Sequence, residues 1–294
     1  MATLGFYIFY SIVWVITLLP LRVLYLFSDL LFPLVCYFPG YRRKVVAENL
    51  RNAFPGKNEK ERAIIQRRFY RHFCDLAVEI LKLTHMSDKQ LMRRMTINNK
   101  ALPDRLYNEG RDVIAVLGHY GNWEWTSIMS RYTELRNVPI YKPLNNKHFD
   151  RFMLSLRIRN NCDPVPMSMV VREIIRNRKE KTLAMYGFIS DQTPARAEIR
   201  YRTEFLNQDT PVFLGTEKIA SKYDMAVVFI NVQKVRRGYY TMTPELLFEH
   251  SAGQPEYLIT RTHVKRLEEV IREKPEYWLW SHRRWKYKRE EPNG

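Results

Sequence analysis

The chain has 294 residues and a formal net charge of +17, so it has room for one large or two small domains. A charge this positive excludes a protein that does not interact with anions. Nucleic acid, an anionic membrane and an acidic protein are all compatible partners. The three cysteines Cys36, Cys74 and Cys162 lack paired spacing, which indicates a reducing compartment and excludes a disulfide framework; no His, Cys and acidic cluster has metal-ligand spacing.

Residues 1–39 form an apolar N-terminal segment. Residues 1–21 carry no charge, and about twenty apolar residues suffice to cross a bilayer core as a helix. The sequence therefore predicts an N-terminal membrane helix, because the basic start and cleavage pattern of a secretory signal are missing. A buried helix of a soluble protein is the alternative. Residues 23–38 contain Asp29 and Pro33 and are interpreted as an interfacial helix, with a second membrane segment or a buried helix left open.

A basic cluster, Arg42, Arg43 and Lys44, follows this segment and should stay on the cytoplasmic side of a membrane. Residues 40–294 are therefore predicted to form a cytoplasmic domain. Its first part, 40–100, has helical spacing of apolar residues, with a break at Pro55-Gly56. His72 and His85 lie in or near the second of these helices and are interpreted as structural.

Beyond residue 100, strand-like and helix-like stretches alternate, which predicts an α/β core over 101–294. The predicted strands are 113–117, 138–141, 182–189, 225–232 and 239–243. The predicted helices are 123–131, 146–159, 169–178, 214–222 and 259–273. Arg236-Arg237-Gly238 resembles a hairpin turn, so the expected fold is a mixed, largely parallel sheet with flanking helices behind the N-terminal membrane helix.

One strand end carries the clearest chemical signal. The apolar run 113–117 leads into Gly118 and His119, and Gly121 and Asn122 precede a predicted helix that Asn122 would cap. Ligands bind at the carboxyl ends of strands in open α/β sheets, so His119 is well placed for chemistry. Glu124 can converge on it across the turn, fix the imidazole tautomer and leave the other nitrogen to act as a base. The spacing alone is weak, because a chain with seven histidines contains it by chance about as often as not.

A set of motifs in fixed order gives this pair a context. The stretch Gly118-His-Tyr-Gly-Asn-Trp-Glu124 resembles the His-x4-acid motif of glycerolipid-type acyltransferases, in the version of the lipid A biosynthesis acyltransferases that add lauroyl or myristoyl chains. The other matching pieces are Asn49-Leu50 with Phe54-Pro55, Tyr141-Lys-Pro143 with Asn145 and Asn146, Phe149-Asp150, Arg157-x-Arg159, Asp191-Gln192 and Tyr277-x-Trp-x-x-His282-Arg-Arg-Trp285-Lys286. The resemblance covers about residues 1–286. Lys142 departs from it, since the family usually has arginine there.

The resemblance implies a reaction and roles for several residues. A fatty acyl group would pass from an acyl carrier protein thioester to a hydroxyl of a lipid A precursor, with His119 as general base and Glu124 orienting it. Lys142, Arg157 and the backbone amides around Gly121 and Asn122 are candidates for binding the oxyanion or substrate. Asp191 is expected to line the same cleft or to pair with an arginine. No acyl-enzyme, cofactor or metal is required.

The same resemblance implies partners and a location. The acidic acyl carrier protein, the phosphate-bearing lipid A precursor and the inner-membrane lipid would all attract the basic surface. Aromatic and basic residues alternate near the carboxyl terminus, which is typical of a membrane interface: Trp278, Trp280, Arg283, Arg284, Trp285, Lys286, Tyr287 and Lys288. Nucleic acid is not expected, since the apolar N-terminal segment would serve no purpose there.

Two other hypotheses are open at this stage. The first is an acyltransferase that uses another lipid acceptor, such as a lysophospholipid or a glycolipid, with acyl-CoA as donor. The second is a membrane-surface binding protein in which His119 and Glu124 have no catalytic role.

Overall fold

A seven-stranded sheet forms the centre of the protein in the computed structural model. Residues 2–38, 40–158 and 160–287 are described; Arg159 of the motif and Lys288 of the tail lie outside them, as do Met1, Pro39 and the rest of 288–294. The strands of this sheet are β1 (Met95–Ile97), β2 (Val113–Leu117), β3 (Arg136–Tyr141), β4 (Val165–Pro166), β5 (Ala184–Ile189), β8 (Ala226–Arg236) and β9 (Tyr239–Phe248). Strands β6 (Arg202–Phe205) and β7 (Gln208–Pro211) form a separate antiparallel pair.

The strand order is β1-β9-β8-β2-β5-β3-β4, and every neighbouring pair is parallel except β8 and β9. These two strands form the hairpin predicted at 236–238, where Gly238 has a φ of +72°. The prediction of a mixed, largely parallel sheet is therefore confirmed. Strand β2 lies inside the sheet, between β8 and β5. Its carboxyl end therefore lies near the centre of the row of strand ends.

Ten α-helices surround the sheet within the described residues. They are α1 (Ala2–Ile16), α2 (Leu21–Tyr37), α3 (Arg43–Ala53), α4 (Glu59–Lys82), α5 (Asp88–Met92), α6 (Ala101–Asn108), α7 (Lys147–Ile158), α8 (Val170–Lys179), α9 (Gly215–Tyr223) and α10 (Leu258–Glu273). Helix α4 begins with a capping box, in which Asn58 and Glu61 each accept the other's backbone N–H. The helix predicted over 123–131 is present as a 3₁₀ helix, Trp123–Arg131.

Apolar side chains bury both faces of the sheet. In β2 every residue is buried, with Ile114 and Val116 in one apolar cluster and Val113, Ala115 and Leu117 in the other. The first cluster includes side chains of α3, α4, α9 and α10, and the second includes side chains of α1, α2, α6 and α7. A strand covered on both faces reads as a continuous apolar run, which is why the sequence identified β2.

The N-terminal segment corrects one expectation. Within residues 2–38, 40–158 and 160–287, no helix is both long and apolar enough to cross a bilayer. Residues 1–21 do not form one helix: α1 has 15 residues, and α2 begins after Pro20. A helix of 15 residues is about 22 Å long, against about 30 Å for a hydrocarbon core. Lys82 holds the intervening turn by donating from Nζ to the carbonyls of Thr17 (2.6 Å) and Leu19 (2.9 Å).

The carboxyl-terminal aromatic residues also differ from what the sequence predicted. Trp278 and Trp280 were expected at a membrane interface, but they are 2% and 0% exposed and lie in the core. Trp285 is partly buried and packs near Phe205 of β6. Their indole N–H groups all find acceptors inside the protein, so this segment is built into the fold.

Candidate functional site

His119 lies just beyond the carboxyl end of β2, on a loop held close to its neighbours. A Cβ on Gly118 would come within 2.7 Å of Leu267 on α10 and 3.1 Å of Asp191, so only glycine allows this approach. The carbonyl of His119 accepts from the amide of Leu279 at 3.1 Å. The carboxyl-terminal segment therefore pairs with the loop and fixes its path.

Asp191 contacts both the backbone and the side chain of His119. It follows β5, the parallel neighbour of β2, so the two strand ends bring the residues together. Its Oδ1 lies 2.6 Å from His119 Nδ1, and its Oδ2 accepts from the His119 amide and from the Trp278 indole, both at 2.8 Å. The structure thus pairs Asp191 with His119 and not with an arginine of the described residues.

The same contacts set the charge of the Asp191 carboxyl. Burial acts to raise its pKa, but the interactions with His119 and the indole of Trp278 outweigh burial and lower the pKa to about 2. Asp191 is therefore a carboxylate at neutral pH. Since a carboxylate only accepts hydrogen bonds, Nδ1 of His119 carries the proton of this contact, and in the neutral ring Nε2 then carries the lone pair.

The Nε2 atom of His119 is the ring nitrogen that Asp191 does not contact. It lies 3.1 Å from the side-chain amide of Gln192, and the ring packs edge-on against Trp123 at 4.9 Å. The His119 side chain is 17% exposed. The arrangement places a basic nitrogen where a substrate hydroxyl can replace the amide of Gln192.

Glu124 does not take the predicted place beside His119. Its carboxylate accepts from Arg157 on α7, with Nε to Oε2 at 3.0 Å and Nη2 to Oε1 at 2.6 Å. Glu124 is the second residue of the 3₁₀ helix, which directs its side chain toward α7, whereas a carboxylate from the adjacent strand already occupies Nδ1. The expectation that Glu124 orients His119 is wrong in this structure, and Arg157 is an ion-pair partner rather than a free donor.

Gly121 and Asn122 shape the loop but direct their donors away from the site. Gly121 has a φ of +62° and donates its amide to the carbonyl of Tyr277 at 3.0 Å. Asn122 caps the 3₁₀ helix as predicted, accepting from the Trp125 amide at 3.2 Å. Its own side-chain amide donates to Glu79 at 2.9 Å. The Gly121 amide and the Asn122 side-chain amide therefore already have acceptors, while the expectation that backbone amides here bind an oxyanion stays a prediction.

Glu79 on α4 was not identified from the sequence. Its buried carboxylate accepts from the hydroxyls of Tyr25 (2.7 Å) and Tyr240 (2.8 Å), besides the amide of Asn122, and burial raises its pKa. His72, interpreted as structural, lies two turns earlier on α4, with Nε2 3.2 Å from the carbonyl of Gly121. Both residues brace the loop that carries His119. The sequence signal for this role was a helical apolar pattern interrupted by polar residues.

Two more predicted residues lie near the site. Lys142 is exposed just after β3, two strands from β2 in the sheet. His282 lies beside the segment after β5, and its Nε2 is 3.4 Å from the amide of Thr193. Burial lowers the pKa of His282 to about 4, so this ring is neutral at physiological pH. His282 was identified because it belongs to the motif that begins at Tyr277. Its spacing in the sequence indicated no function for it.

The described part of the chain contains no group of three or more His, Cys, Asp or Glu side chains arranged to hold a metal ion. The family model described as bacterial lipid A biosynthesis acyltransferase matches residues 1–287, nearly the whole chain. No curated protein matches the sequence.

Proposed function

Because the chain belongs to the bacterial lipid A biosynthesis acyltransferase family, we propose that it moves a fatty acyl chain from acyl carrier protein to a hydroxyl of its acceptor, with His119 as general base. Membership of the family makes the protein an acyltransferase of lipid A biosynthesis and its acceptor a lipid A precursor. The single observation that supports the proposed base is the 2.6 Å contact between His119 Nδ1 and Asp191, which leaves Nε2 as the ring nitrogen for the substrate.

In the proposed reaction, Nε2 of His119 takes the proton of the acceptor hydroxyl as the oxygen attacks the thioester carbonyl. Asp191 offsets the positive charge that develops on the imidazole. The tetrahedral intermediate then expels the thiolate, which receives the proton from His119. The ester bond forms, the thioester bond breaks and the carrier leaves as a thiol, so no group remains on the enzyme.

Direct transfer also agrees with the state of the cysteines. Cys36, Cys74 and Cys162 are all buried, and burial raises the pKa of both Cys74 and Cys162 to about 12. A buried thiol that stays protonated is a poor nucleophile. We therefore propose that the acceptor attacks the donor directly once both are bound close together.

Other residues serve binding in this proposal. The side-chain amide of Gln192 lies at Nε2 of His119. Once the acceptor hydroxyl takes that place, this amide is our candidate donor to the oxyanion on the thioester carbonyl. The Glu124–Arg157 pair holds α7 against the 3₁₀ helix and so shapes the wall of the site. Lys142, exposed beyond β3, is our candidate for a phosphate of the acceptor.

We also propose that the protein lies on the cytoplasmic face of the inner membrane. Helices α1 and α2 bury one side against the core and expose many large apolar side chains on the other, among them Leu4, Ile8, Ile12, Val15, Leu26, Leu30 and Leu34. A helix pair of this kind can lie within the interface of a bilayer. The exposed Arg42, Arg43 and Lys44 begin α3 shortly after α2 and would meet anionic head groups.

One experiment tests the donor and the acceptor together. Purified enzyme is incubated with a lipid A precursor and either acyl carrier protein thioester or acyl-CoA, and the products are identified by mass spectrometry. We expect one added acyl ester on the precursor and much faster transfer from the carrier protein. Equal rates from both donors would contradict the donor assignment, and transfer only to lysophospholipid would contradict the family acceptor.

A further inference from the structure

A small cavity is lined in part by Asp191 and Arg284. Its volume is about 20 Å³, room for about one water molecule. The apolar part of its lining includes Phe205 and Leu267. Its polar part is Asp191, His263 and Arg284 together with Ser190.

Arg284 is an unusual member of this lining. It is 1% exposed, and its Nε and Nη1 atoms have no hydrogen-bond partner on any residue of the described part of the chain. By contrast, the partly buried Arg157 places its guanidinium on both oxygens of Glu124. Burying an unpaired charge costs free energy, so the fold is less stable than it would be with an apolar side chain here.

The position of Arg284 is imposed by its backbone. Its carbonyl accepts from the Thr193 hydroxyl at 2.5 Å, and its amide donates to the carbonyl of His282 at 2.9 Å. Thr193 comes directly after Gln192. The backbone of Arg284 is therefore tied to the segment that carries Asp191 and Gln192.

Arg284 is the arginine that lines the same cavity as Asp191. Burial lowers its pKa to about 10, with the charge of Asp191 acting in the opposite direction, so it stays protonated at neutral pH. The other ionisable groups around the His119–Asp191 pair are His263 on α10, whose pKa burial lowers to about 4, and His282, lowered in the same way. Arg202 on β6 is the remaining charged group that acts on Arg284.

We infer that Arg284 is a positioning residue whose buried charge keeps the His119–Asp191 pair as a neutral imidazole beside an ionised carboxylate. The positive charge favours the carboxylate and disfavours the imidazolium, and both effects preserve the form with a free Nε2. The same charge makes the transient imidazolium a better acid when it returns the proton to the thiolate. This inference rests on the proposed role of His119 as the base.

The test compares Arg284→Met and Arg284→Lys in the full-length protein. Arg284→Met removes the charge but keeps much of the volume. We expect the acidic limb of its kcat/KM profile to move to higher pH by about one unit, the scale of a nearby charge in a partly buried site. Its Tm should stay the same or rise, because a buried unpaired charge has gone. Arg284→Lys should keep the wild-type profile.

Arg136→Met is the matched control. Arg136 is a partly buried arginine whose guanidinium binds Asp163 at 2.7 Å and Glu173 at 2.8 Å, away from the site. Its loss removes the ion pair with Asp163 and leaves Glu173 with Arg176 as its partner, so we expect a lower Tm and an unchanged pH profile. A structural role for Arg284 would give this same pattern in Arg284→Met.

Two results would overturn the inference. One is a wild-type pH profile for Arg284→Met, and the other is a profile of Arg284→Lys that shifts as far as that of Arg284→Met. If His119→Ala retains activity, the proposed base itself fails, and that result is read independently of Arg284.

Discussion

The Nδ1 atom of His119 and the Oδ1 atom of Asp191 lie 2.6 Å apart, although 72 positions separate these residues in the chain. The carboxylate belongs to the strand beside the histidine and not to the helix that follows it. Asp191 is therefore the carboxylate that contacts the His119 ring, whereas Glu124 pairs with Arg157. The predictions below separate the two carboxylates.

Replacing His119 or Asp191 should remove turnover while the fold persists. We expect His119→Ala to lower kcat by roughly two to four orders of magnitude, since a positioned base contributes about that much. Asp191→Asn should also cost at least about a hundredfold, because an amide can donate to Nδ1 and favour the wrong tautomer. Single-turnover assays with acyl carrier protein donor measure both. His250→Ala, at an exposed histidine, is the control and should keep wild-type rates.

Replacing Glu124 should act through stability. Breaking a buried ion pair from one side leaves the other charge unpaired and costs about 3–5 kcal/mol. We expect Glu124→Ala and Arg157→Ala each to lower the free energy of unfolding, and the double variant to lose less than the two single losses combined. Denaturant unfolding of all four proteins measures this coupling. Additive losses would mean that the 2.6 Å contact contributes nothing.

The pH dependence of the remaining activity also distinguishes Glu124 from Asp191. The folded fraction of Glu124→Gln should show a wild-type pH profile, whereas Asp191→Asn should not. A shift of the acidic limb in Glu124→Gln comparable to that of Asp191→Asn would restore Glu124 to direct contact with the base.

The apolar face of α2 should govern membrane binding. Leu26, Leu30 and Leu34 are exposed and four residues apart, so they form one stripe on the helix. Changing all three to Ser should move the protein from bilayers toward solution, since burying each leucine is worth about 1.5–3 kcal/mol. Co-sedimentation with vesicles containing anionic lipid measures the partition. The exposed Val235→Ser serves as control, and equal partition of both variants would show that α2 does not contact lipid.

His263 should make the fold sensitive to acid. Burial lowers its pKa from 6.5 to about 4, so between these values the unfolded chain binds a proton that the folded protein does not. The free energy of unfolding therefore falls as the pH drops from about 6.5 to about 4, by about 3 kcal/mol in total for this group. Unfolding of wild type and His263→Gln is measured at pH 7, 6, 5 and 4.5. We expect a flatter pH dependence in the variant, while parallel curves would assign the titration to other groups.

Local regularities in the sequence determined much of the fold. The run 113–117 is apolar throughout because β2 is covered on both faces, and Gly118 and Gly121 stand where neighbouring side chains leave no room for a Cβ. Asn122 and the turn at Gly238 were also predicted, since capping and tight turns depend on a few consecutive residues. The histidine of the site was found for the same reason.

Only the tertiary structure decided what that histidine contacts. Strand order places Asp191 beside His119, and nothing in the spacing of the chain reveals that β5 is the neighbour of β2. Proximity in the sequence favoured Glu124 as the partner of His119. Because Glu124 lies on the first turn of the 3₁₀ helix, its side chain points toward Arg157 instead. Pro20 divides an apolar stretch long enough to span a bilayer into two helices that are too short to do so. Composition measures how apolar a segment is, whereas packing against α4 and α7 determines which of its side chains remain exposed.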